Sequence, residues 1–147
     1  MRVTVKYQQA VIQKVRDVSA EEIKILGGIN PKLIIFSRVM EEKSPASMSI
    51  IPFDETMLDN RPTTMKMIAK KMWELGCRKP AMILWVSEAW MGTQEKGKPF
   101  ILPSQDPKRI EVAIFCASTD KGKVQATAYE IVQKMDSLGN ISKELKE

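Results

Sequence analysis

Histidine is absent from the 147-residue chain, which removes the commonest general base near neutral pH and the commonest metal-ligating side chain. A Ser-His-Asp or Cys-His device is therefore excluded within the chain. Cysteine is nearly as scarce: Cys77 and Cys116 are the only two. They are too few for a disulfide framework and, without histidine, cannot complete a tetrahedral zinc site. The seven glycines are scattered and form neither GxGxxG nor GxxxxGK[ST], so the phosphate-cradling loops are missing. No run of acids is spaced as in a calcium loop. The expectation is no metal and no cofactor. Long apolar runs are missing too. Those at Ala81–Val86 and Val112–Ala117 fall far short of the ~18 residues of a membrane-crossing helix. Residues 1–6 hold no apolar core of a secretory leader. The expected setting is cytoplasmic, with no membrane partner.

What is present describes an ordinary globular domain. Hydrophobic residues make up 44% of the chain and charged ones 28%, within the usual soluble range, and the length suits one domain. A single α+β domain is expected over residues 1–135, followed by a charged tail, 136–147, that frays. The net charge of +5 permits anionic partners without demanding them.

Along the chain, Tyr7, Val11, Val15 and Val18 recur at helical spacing over residues 4–17, although Val3 and Val5 alternate like a strand. Ser19 followed by Glu22 reads as a capping box opening a separate helix to about Leu26, stopped at Gly27-Gly28. Leu33–Met40 and Met48–Pro52 read as strands around a polar loop. Pro62 suits the first turn of a helix over 62–76, on which Met65, Ile68, Ala69, Met72, Trp73 and Leu75 form one apolar stripe. Strands follow at 81–90, at Ile110–Ser118 and, after a turn at Asp120-Lys121-Gly122, at Val124–Gln133. Cys116, inside an apolar run, reads as a small buried hydrophobe. The fold class expected is α+β: a mainly antiparallel sheet of about four to six strands, the helix at 62–76 packed on one face, and a C-terminal β-meander.

One pair of segments carries most of the functional signal. Trp85-Val86-Ser87-Glu88-Ala89-Trp90 is followed, after a long polar loop, by Pro103-Ser104-Gln105-Asp106-Pro107-Lys108-Arg109-Ile110-Glu111. Ser104 and Asp106 are turn formers whose side chains can bond nearby amides. Arg109 and Glu111 share a strand face. If the two strands pair antiparallel, Glu88, Arg109, Glu111 and Asp106 converge beside Trp90, with Glu88 and Arg109 as partners. The pattern S-E-A-W followed by P-S-x-D-P-x-R-x-E resembles a signature of small prokaryotic and phage-encoded proteins of no established activity. The resemblance covers about residues 80–133, and the preceding helix more loosely. It implies an architecture and no substrate or cofactor.

The residues support three functional expectations. The leading one is a non-enzymatic protein that works through association with itself, as a homodimer, because histidine is absent and the motif reads well as loop anchoring. The second is a small ligand- or metal-binding protein or enzyme using Glu88, Trp90, Asp106, Arg109 and Glu111. The third is a nucleic-acid-associated accessory protein using Lys66, Lys70, Lys71, Arg78 and Lys79, a cluster that also reads as a solvated helix face.

Overall fold

Ile12, Ser19 and Ile23 are buried along one helix, α1, which runs unbroken from Val5 to Leu26. The computed structural model that shows it describes residues 5–37, 48–54, 61–74, 80–92, 96–119 and 121–146. The expected break at Ser19 does not occur. Ser19 lies buried inside the helix, and Glu22 serves the loop beyond, accepting from the Asn30 amide at 3.0 Å and pairing with Lys32 Nζ at 2.8 Å. Packing of the whole apolar stripe on the sheet outweighs a local cap, worth about 1 kcal/mol. The end at glycine is as expected. Gly27 turns left-handed at φ 78° and its amide donates to the Ile23 carbonyl at 2.8 Å, closing the helix.

Six strands form one antiparallel sheet: β1 (Lys32–Ser37), β2 (Met48–Pro52), β3 (Pro80–Met91), β4 (Ile110–Thr119), β5 (Val124–Met135) and β6 (Ile141–Leu145), in the order β2-β1-β3-β4-β5-β6. A second helix, α2 (Arg61–Glu74), lies between β2 and β3 in the chain. The fold is α+β with a C-terminal meander. Residues 136–147, expected to fray, instead supply β6. Ile141–Leu145 pairs with Ile131–Met135 and buries Leu145 in the core. The turn before it is fixed by Asp136, whose Oδ1 accepts the amides of Leu138 at 2.9 Å and Asn140 at 2.8 Å.

The sheet has apolar residues on both faces. On the first, Ile34, Met82, Leu84, Val86 and Phe115 pack beneath α1. On the second, Leu33, Ile35, Ile51 and Phe53 form a smaller cluster with Ile83 and Trp85. Phe53 meets Trp85 edge-on at 5.1 Å. The helix expected to be the main packing element, α2, reaches this second cluster through Ile68 and Met72 alone among the described stripe residues. Trp73 stays 67% exposed, and Met65 and Ala69 are exposed too. Leu75 lies outside the described residues, as do Arg38–Met40 of the first expected strand. The helices therefore take opposite faces of the sheet, and α1 provides the larger contact.

Candidate functional site

The register of β3 and β4 pairs Glu88 with Ala113 and Trp90 with Glu111. Alternation puts Glu88, Trp90 and Glu111 on the same face as α1, at the end where β3 finishes and β4 begins. Glu88 reaches back to the loop after α1, where its Oε1 accepts the Ile29 amide at 2.6 Å. Gly28 is what lets it approach, since a Cβ there would lie 2.8 Å from that oxygen. Glu111 faces Lys143 of β6, with Nζ 3.3 Å from Oε1. Burial pushes the Glu88 carboxyl above the ordinary carboxylate range; the Ile29 amide opposes that shift. The neighbouring Glu111 reinforces it by its charge and by a hydrogen bond between the two carboxyls, and Lys143 pulls it down. A proton held between two carboxyls is the expected response when like charges meet in a half-buried place.

Arginine takes a different place from the one expected. The Arg109 guanidinium sits 4.6 Å from the centroid of the Trp90 ring, a cation–π stack. Among the described residues, the cation paired with Glu111 is Lys143. Arg109 lies one residue before β4 begins, beside the end of β3 that carries Trp90. Asp106 is buried and anchors the loop. Its Oδ1 accepts the Lys108 amide at 2.8 Å, and its carbonyl accepts the Arg109 amide at 3.0 Å. A Cβ at Gly92 would lie 3.0 Å from Oδ2 of Asp106 and 3.2 Å from Cα of Pro103, so the glycine permits this close return of the loop.

The motif thus brings Glu88, Trp90, Arg109 and Glu111 to one end of the β3–β4 hairpin, with Asp106 holding the loop beside them. Sequence reasoning missed Gly28, Ile29 and Lys143. Lys143 alternates with buried Leu145 along β6, a pattern too short to register within a charged tail. Among the described residues no group of three or more Cys, Asp or Glu is arranged to hold a metal ion.

The lysine cluster on α2 is exposed at Lys66, Lys70 and Lys71, and Glu74 joins Lys70 and Lys71 around a shallow cleft against Ile51 and Pro52. Arg78 and Lys79, and Cys77 with them, lie outside the described residues. Two further clefts lie elsewhere. One of about 570 Å³ between α1 and β1–β2 is almost wholly apolar. Another of about 660 Å³ between α1 and β5–β6 holds Arg16, Lys24, Lys134 and Lys146. These cations face Asp17, Glu21, Glu144 and Glu130 respectively, so the cleft presents little net charge. Comparison with protein-family models, with curated proteins and with solved structures found no match.

Proposed function

We propose that the chain is a non-enzymatic protein of the cytoplasm that works through association with a second copy of itself. The observation that supports this reading is the part of the second sheet face that α2 leaves open. There β4 presents Ile114, Cys116 and Ser118, and β5 presents Val124, Ala126 and Ala128, paired in register as Ile114–Ala128, Cys116–Ala126 and Ser118–Val124. Val124, Ala126 and Ala128 are exposed, and Cys116, expected to be buried, is half-exposed. The six residues carry no charge. That matters for a twofold contact, in which residues near the axis meet their own copies and like charges would repel. Small side chains also let a second sheet approach to roughly 10 Å, the ordinary spacing of packed sheets. In this reading the Glu88–Glu111–Lys143 cluster has a scaffolding part, tying α1, the hairpin and β6 together.

Cys116 reports on this face. In a Cys77→Ser background, its alkylation is expected to slow as protein concentration rises through the micromolar range, and Ala128→Glu is expected to abolish that slowing. An alkylation rate independent of concentration in both proteins would overturn the reading.

A further inference from the structure

The loop joining β3 to β4 leaves three consecutive apolar side chains in solvent: Phe100 is 72% exposed, Ile101 50% and Leu102 52%. Such a run is a liability on a soluble surface unless it meets something. Trp90 and Met91 at the end of β3 and Ile110 at the start of β4 are also exposed. The pairing of Met91 with Ile110 puts these three at the base of the same loop. The approach of Gly92 to Pro103 holds the residues that follow Leu102 against that end of the hairpin. Cations outnumber acids in the described part of the loop. Lys96, Lys98, Lys108 and Arg109 are exposed, and Asp106, the one acid between residues 96 and 110, is buried with its carboxylate turned to the Lys108 amide.

We propose that this end of the β3–β4 hairpin is a docking surface for an anionic lipid bilayer. Phe100, Ile101 and Leu102 enter the boundary between headgroups and acyl chains, and the lysines and Arg109 meet the anionic headgroups. Apolar residues flanked by cations whose long stems can lie along the interface are what such a surface requires. Trp90, amphipathic and stacked with Arg109, suits the headgroup level. A protein partner fits less well, because lysine is depleted at protein–protein contacts. The turn between β5 and β6 lies at the same end of the sheet. Glu130 is opposite Val112, β5 continues to Met135, and Leu138 follows, exposed in the turn. The contact is interfacial; no described helix is long and apolar enough to cross a membrane.

Co-sedimentation of the full chain with vesicles of phosphatidylcholine, alone and mixed with phosphatidylserine, tests this. Binding is expected on the mixed vesicles, weak on the neutral ones, and reduced by salt. Phe100→Asp with Ile101→Asp is expected to abolish it. Lys96→Gln with Lys98→Gln is expected to weaken it roughly thirtyfold. Circular dichroism checks that both variants stay folded, as exposed loop substitutions allow. Equal binding to neutral and mixed vesicles, or no binding to either, would overturn the proposal. So would a Phe100→Asp, Ile101→Asp protein that still sediments with lipid, or one whose only change is dispersal of an oligomer, which would mark the loop as a contact between copies.

Discussion

Glu88 accepts the amide of buried Ile29, and what replaces it decides the cost of removing it. Glu88→Ala leaves that donor without its partner, an expected loss of about 1–3 kcal/mol in urea unfolding. Glu88→Gln keeps an acceptor for Ile29 and offers a donor to Glu111, so near neutral pH it is expected to match or exceed the wild type. The pH dependence follows from the raised Glu88 carboxyl. Between the ordinary carboxylate range and its raised value the folded state binds more protons than the unfolded one. Stability therefore falls as pH rises through that window, and Glu88→Gln is expected to flatten the fall. Arg109 stacks on Trp90, so Arg109→Ala is expected to cost about 0.5–1 kcal/mol, the scale of an exposed cation–π contact. Its loss and that of Glu88→Ala are expected to add, since Glu88 bonds the Ile29 amide while Arg109 stacks on Trp90. A coupling above about 1 kcal/mol in that double-mutant cycle would show a Glu88–Arg109 pair instead.

Helix α1 and strand β6 depend most on contacts distant in sequence, and they were the least legible elements. The buried stripe of α1 includes Gln8 and Ser19, polar residues that interrupt an apolar period. Gln8 is accommodated only because its Nε2 donates to the carbonyls of Ala117 and Lys123, at 3.3 and 3.0 Å. No local rule announces such partners. In β6 only Leu145 is buried, so five residues of a charged tail gave no period to detect. By contrast β3 and β4, apolar on both faces, and the Gly122 turn with φ at 79° could be read directly. Helix α2 was legible as a helix but not as a surface element, because its apolar stripe is wider than the Ile68–Met72 contact it makes. The same holds at the candidate site. Alternation placed Glu88, Trp90 and Glu111 together, whereas Ile29 and Lys143 come from 59 and 32 residues away. Thermal or urea unfolding separates the two helices' neighbourhoods. Leu145→Ala is expected to cost about 2–5 kcal/mol, as a buried leucine does. Trp73→Ala on α2 is expected to cost less than about 1 kcal/mol.

The two proposed contact surfaces among the described residues differ in chemistry. The open part of the β4–β5 face is uncharged and built of small side chains, which suits a twofold copy of itself. The β3–β4 loop is apolar and cationic, which suits an anionic interface. The exposed lysines of α2 form a third surface. Replacing Lys66, Lys70 and Lys71 by glutamine is expected to leave folding intact, and any oligonucleotide binding they support is expected to vanish by physiological salt. Submicromolar binding at that salt, lost in the triple variant, would restore a nucleic-acid role. Self-association through the β4–β5 face can be followed by sedimentation velocity at micromolar concentration. A wild-type species of twice the 16.7 kDa chain mass and a folded monomer for Ala128→Glu are expected. A wild type that sediments as a clean 16.7 kDa monomer, or a dimer that Ala128→Glu leaves intact, would contradict it.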